Sequence, residues 1–256
     1  MFFDEKRING SGRLERTVAH EIAHQWFGDS VTEADWHHLW LSEGFATYFE
    51  NLFFERADGR DNFVSRMLAA KERYLKAYGS NPLPVYDPTI TDLFKLLNRN
   101  NYEKGGWVLH MLRHVMGDKQ FFAGIRDYYR TYRDRNALSD DFQRMMEFHA
   151  GRPLDWFFNQ WIYEPGHPVY DAVWRWDESA KHLHILITQK KEKTIFRMPL
   201  DVEIKLGDLT RREVVDVNEW DQVFTFKLDA KPRSLALDPG EWVLKVLNLR
   251  GGKRLL

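Results

Sequence analysis

Apolar residues recur at helical spacing through the longer first part of the chain, and they alternate with polar ones in the last part. Within 61–78, Phe63, Met67, Ala70 and Tyr74 fall on one face of a helix. Val108, Leu109, Leu112 and Val115 do the same within 102–115. The same spacing predicts helices over 13–27, 42–56, 118–135, 139–149 and 154–163, and a short one over 91–97. Gly28 is expected to stop the first of these, and Ser42, Asp118 and Ser139 to cap later ones. Residues 1–16 read as irregular, with flexible turn material at Asn9-Gly10-Ser11-Gly12, and Asn81-Pro82-Leu83-Pro84 breaks the chain. After Pro168 the period becomes two. Runs such as His182-Leu183-His184-Ile185-Leu186-Ile187, Val202-Glu203-Ile204-Lys205-Leu206 and Val223-Phe224-Thr225-Phe226 are separated by turn residues, a β-sandwich pattern. The expected architecture is a mainly α region over 1–168 followed by a small all-β sandwich over 169–256, with the end at Gly251-Gly252-Lys253-Arg254 frayed.

One helix carries chemistry as well as pattern. It contains His20-Glu21-Ile22-Ala23-His24. Residues four apart on a helix face the same way, so His20 and His24 present two imidazoles to one ion. Chance supplies roughly 0.03 such matches in a chain of this length. After eighteen intervening residues His24 is followed by Glu43, near the start of the next helical run. That separation lets one helix end near Gly28, a loop cross, and a second helix return its first turn to the metal. A His-His-Glu set with a fourth position open is a known catalytic zinc arrangement, so one zinc ion is expected on His20, His24 and Glu43. Glu21 cannot face that ion from the same angle as both histidines and is better placed as general base and later proton donor. Val18, Ala19, Ile22, Ala23, Trp26 and Phe27 suggest that this helix is largely buried. His37 and His38 are read as structural or supporting, because a fourth protein ligand would close the open position. His182 and His184, two apart on one strand face, are read as ordinary strand residues, with no nearby carboxylate pattern to complete a ligand set.

The stretch His20-Glu21-Ile22-Ala23-His24-Gln25-Trp26-Phe27-Gly28, followed by Trp40-Leu41-Ser42-Glu43-Gly44-Phe45-Ala46-Thr47-Tyr48, resembles the M1 family of gluzincin metallopeptidases, mainly zinc aminopeptidases. Tyr102-Glu103-Lys104-Gly105-Gly106-Trp107-Val108-Leu109-His110-Met111-Leu112 resembles the family segment whose tyrosine stabilises the tetrahedral intermediate, and only this resemblance nominates Tyr102. The likeness runs from about residue 17 to 168. It implies a thermolysin-like but incomplete catalytic region, then a sandwich domain. It also implies an upstream Gly-x-Met-Glu-Asn segment whose glutamate grips the substrate's α-amine, and no such segment stands before His20. The resemblance therefore leads to the expectation of either a fragment lacking an N-terminal domain or an unusually short relative, with weak aminopeptidase turnover unless Glu50 or Glu103 replaces the anchor. An endopeptidase, and a zinc-binding but inactive fragment needing absent domains or self-association, stand as alternatives.

Composition narrows the rest. Of 256 residues, 43% are apolar and 15% aromatic, enough for a substantial core. The net charge of −1 offers no basic field for nucleic acid. There is no cysteine, which rules out disulfides and thiolate ligands, fits a cytosolic protein and leaves export open. No signal or membrane-spanning run is apparent, and a peptide is the expected substrate.

Overall fold

In the computed structural model, residues 13–79, 82–190 and 194–251 are described. The turn at 9–12 and the end at 252–254 lie outside them. The chain divides into two compact units, Met1–Gly166 and His167–Leu256.

The first unit is helical: α1 (Arg13–His24), α2 (Trp40–Asp58), α3 (Arg60–Tyr78), α4 (Gly105–Met116), α5 (Asp118–Tyr132), α6 (Ser139–Ala150) and α7 (Asp155–Phe158). Two three-residue strands, β1 (Val31–Glu33) and β2 (Arg135–Ala137), pair in parallel. The helix α2 is central and packs against α1, α3 and α4. It lacks a solvent face along much of its length: Trp40, Leu41, Gly44, Phe45, Ala46, Tyr48 and Phe54 are all buried. Each large side chain of this kind contributes roughly 1.5–3 kcal/mol on burial.

Helix ends differ from the periodic reading in informative ways. The first helix ends at His24, three residues short of the expected 27. Gly28 then adopts φ 127°, a conformation that side chains resist, and its N–H reaches Val31 O at 2.8 Å. The turn so formed starts β1. Ser42 does not cap α2, because that helix already begins at Trp40 with Leu39 as its cap. Gly117 rather than Asp118 caps α5, and Leu138 rather than Ser139 caps α6. Asp118 instead receives both Nε and Nη2 of Arg113. The expected helix over 102–115 opens with a π-turn, Asn100–Lys104, and the one over 154–163 closes with another, Asn159–Tyr163.

The second unit holds the remaining strands: β3 (Val169–Asp177), β4 (His182–Gln189), β5 (Met198–Leu206), β6 (Leu209–Val217), β7 (Asp221–Lys227), β8 (Ser234–Leu237) and β9 (Val246–Gly251). They form two sheets, ordered β7-β4-β3-β9 and β6-β5-β8. All neighbours are antiparallel except β3 and β9. Alternate residues are buried along β4 (Leu183, Ile185, Ile187) and β5 (Met198, Leu200, Val202, Ile204), so each sheet turns one apolar face inward. Helices and several sheets together make up the chain.

Candidate metal centre

The site forms where α1 lies along α2. His20 and His24 are one turn apart on α1, their ring centroids 4.8 Å apart. Glu43, in the first turn of α2, faces both. Its Oε2 lies 3.2 Å from His20 Nε2 and 3.3 Å from His24 Nε2. Its Oε1 accepts from the Tyr102 hydroxyl at 2.6 Å. Tyr102 arrives there because α2 and the π-turn approach unusually closely. A Cβ added at Gly44 would meet the Gly105 carbonyl carbon at 2.9 Å, so Gly44 needs to be glycine, and one added at Gly105 would sit tightly against Gly44 Cα at 3.0 Å. The Tyr102 ring runs parallel to that of His20 at 6.1 Å.

The outer nitrogens of both imidazoles have partners of their own. His20 Nδ1 is 3.3 Å from Glu50 Oε2, and Glu50 Oε1 accepts from Arg16 Nε at 2.6 Å. His24 Nδ1 lies 3.1 Å from Phe27 O and 3.2 Å from Ser42 Oγ. Such partners fix ring orientation and leave the Nε2 atoms free to converge. Glu50 was not recognised in this role from sequence, although it stands two helical turns after Glu43, on the same face of α2. Neither Glu50 nor Glu103 is an idle carboxylate, since Glu103 accepts from Arg73 and Arg99.

Burial and partners set the charges. Burial works against protonation of His20, but hydrogen bonds and charge from Glu43 and Glu50 outweigh it and raise its pKa to about 9. Burial likewise works against ionisation of Glu43, yet its bonds from His20, His24 and Tyr102 bring it down to about 2. Burial, and then the Glu43 carboxylate it donates to, push the Tyr102 hydroxyl well above its usual value, so it stays a neutral donor at pH 7. The charge of Glu21 also reaches Tyr102.

The donor set fits a zinc ion. One donor atom from each of His20, His24 and Glu43 lies within 4.8 Å of the others, and no further group of this kind occurs among the described residues. Ligands at about 2.0–2.1 Å in a tetrahedron stand roughly 3.3 Å apart, close to the two separations from Glu43. The three side chains remain 15, 17 and 14% exposed, so solvent and ligands reach them.

Other sequence candidates lie elsewhere. His37 bonds to Asp35 and Ile90 O, and the buried His38 bonds to Ser139. His184 pairs with Thr225, and its ring is 6.0 Å from that of His182, with no third ligand among the described residues. The expectation that α1 is largely buried is corrected: Ile22 and Trp26 are 45% and 48% exposed. Ile22 stands two residues from each histidine, about 200° around α1, so it faces away from the side that His20 and His24 turn to α2, and Trp26 lies in the turn beyond the helix.

Residues 2–161 match the peptidase family M1 domain. Among curated proteins, the chain is 28% identical to a probable aminopeptidase 2 of Sulfurisphaera tokodaii, over 77% of this chain and 26% of that protein. It is 32% identical to aminopeptidase M1-C of Oryza sativa, over 66% of this chain and 20% of the relative. A crystal structure of Legionella pneumophila aminopeptidase A with aspartic acid shares its fold, with a TM-score of 0.76 at 20% identity, over 91% of this chain and 26% of that one. The chain thus spans about a fifth to a quarter of the length of these relatives. With the family domain covering more than half of its residues, the chain belongs to peptidase family M1.

Proposed function

We propose that this chain carries the hydrolytic centre of an M1 aminopeptidase: one zinc ion on His20, His24 and Glu43, Glu21 as general base, and Tyr102 as the donor to the oxyanion. The observation that carries this reading is convergence. Two imidazole nitrogens address one oxygen of Glu43, and a tyrosine hydroxyl addresses the other. The family membership and the aminopeptidase names of the relatives support the same reaction.

When bound, zinc polarises a peptide carbonyl and brings the pKa of a water towards 7. The chain's own groups do the rest. Glu21 is displaced about 100° around α1 from His20 and is half-buried without a side-chain partner among the described residues. It takes a proton from the attacking water and returns it to the leaving amine. Tyr102 donates a hydrogen bond to the oxygen that becomes negative in the tetrahedral intermediate. Glu50 and Phe27 O hold the two imidazoles in register.

The same reading makes 1–168 the helical part of a thermolysin-like catalytic region and 169–256 a β-sandwich. Alternating burial in both sheets supports the second assignment. The substrate is a peptide. No described helix is long and apolar enough to cross a membrane.

Glu21→Gln tests the proposal. It keeps the shape of the side chain and removes the base. Zinc content is expected to stay at the wild-type level while peptide hydrolysis falls ~10²–10⁴-fold. Activity within a few-fold of wild type would assign the base elsewhere.

A further inference from the structure

Glu33 closes β1, five residues after the Gly28 turn that rests against His24. Side chains two apart on a strand share a face, so Glu33 points the same way as the buried Val31. Between them, Thr32 turns back and donates to Gly28 O at 2.7 Å. This strand packs against α2, the helix that bears Glu43. The Glu33 side chain is half-buried, and among the described residues its carboxylate bonds only to its own backbone N–H. The charges that reach it include those of Glu43 and His24.

Of the other carboxylates near the centre, Glu21 is the proposed base and also lacks a side-chain partner among the described residues, whereas the remaining three are partnered. Glu43 holds two imidazoles and Tyr102, Glu50 holds His20 and Arg16, and Glu103 holds Arg73 and Arg99. Among the described residues no lysine, arginine or histidine side chain bonds to the Glu33 carboxylate, and of the cations only the charge of His24 reaches it. A partly desolvated carboxylate in this condition is costly to keep ionised. Burial, with the like charge of Glu43 adding to it, accordingly holds its pKa above the ordinary range. A cation delivered by a ligand relieves that cost.

We propose that Glu33 is a specificity-determining residue, receiving an ammonium or guanidinium group of a peptide bound at the His20–His24–Glu43 centre. The inference rests on the reading of that centre as a peptidase site. The cation is either the α-ammonium of the substrate or a basic side chain, and one experiment separates these sources from each other and from failure of the peptidase reading.

Binding of L-lysine hydroxamate, L-norleucine hydroxamate and Nα-acetyl-L-lysine hydroxamate to the zinc-loaded full chain is measured by calorimetry, for wild type and Glu33→Gln. A basic side chain as the source gives wild type a preference for both lysine compounds over norleucine of ~10-fold or more, the scale of a charge-assisted hydrogen bond. Glu33→Gln then removes the preference while norleucine binding persists, which shows that the fold is intact. The α-ammonium as the source gives weaker binding of the acetylated compound by wild type, and Glu33→Gln weakens both unacetylated compounds while retaining zinc. In either case Glu33→Asp, which keeps the charge, retains part of the effect. Three unchanged constants in Glu33→Gln overturn the role of Glu33 and leave the peptidase reading standing. Failure of wild type to bind any of the three overturns both.

Discussion

Each unit buries a cluster of opposite charges, and the two clusters are built differently. In the second unit, Asp238 and Lys245 form an ion pair whose side chains are 0% and 2% exposed. Asp238 accepts from Lys245 Nζ at 2.5 Å and from the backbone N–H groups of Trp242 and Val243 at 2.8 and 2.9 Å. Lys245 also reaches Glu241 at 3.4 Å. Donors surround this carboxylate from several directions, and nothing from solvent reaches it. In the first unit, His20 and His24 instead crowd a single oxygen of Glu43, and all three side chains stay in reach of solvent. A closed network stabilises one local fold. A convergent, accessible one creates a vertex that a further ligand can occupy.

The comparison breaks most sharply at its closed end. Removing one partner of a buried pair leaves the other charge uncompensated. Asp238→Ala is therefore expected to cost about 3–5 kcal/mol of stability in chemical denaturation, with zinc stoichiometry unchanged. A loss below about 1 kcal/mol would mean that water or Glu241 compensates Lys245, and that the cluster is not closed.

At the open end, Tyr102→Phe removes a donor that touches Glu43 and leaves the apolar packing in place. Loss of an oxyanion donor typically costs ~10²–10³-fold in kcat. We expect that drop in steady-state hydrolysis, together with a small change in melting temperature. A variant with wild-type kcat would reduce Tyr102 to a packing residue.

Lys104 gives the smallest effect and sharpens the contrast from a third position. It is fully buried, with Glu164 O at 3.1 Å, and burial lowers its pKa to about 7 despite the charge of Glu164. Its folded pKa thus lies below the ordinary value of 10.5. Between about pH 7 and 10.5 the unfolded chain holds the proton that the folded chain has released. Stability from this group therefore rises with pH across that window. Lys104→Met is expected to flatten that rise in denaturation curves taken at several pH values. An identical pH slope in both proteins would show that Lys104 keeps its proton on folding.

Much of this centre is legible in the sequence because it depends on helical geometry. The four-residue spacing of His20 and His24 and the position of Glu43 survive small errors in helix boundaries. What is harder to read are features shorter than a period. The strands β1 and β2 have three residues each, and Arg135-Asn136-Ala137 carries no alternation. The π-turns at Asn100–Lys104 and Asn159–Tyr163 span five residues, too few to reveal a change of helical period. Ser42 looks like a cap because serine favours that place. Burial of Trp40 and Leu41 draws the helix start forward, and Ser42 is left to orient His24. Glu33 is also unremarkable in sequence. It stands out, beside Glu21, only when the carboxylates around the centre are compared partner by partner.

Metal content is the most direct test of the central claim. Purified wild type and His24→Ala, dialysed against buffer containing zinc and then against buffer without it, are compared by atomic absorption. Three protein ligands are expected to retain one zinc ion per chain, and two are expected to lose most of it. Equal zinc in both proteins would contradict the assignment of His20, His24 and Glu43 as a metal centre.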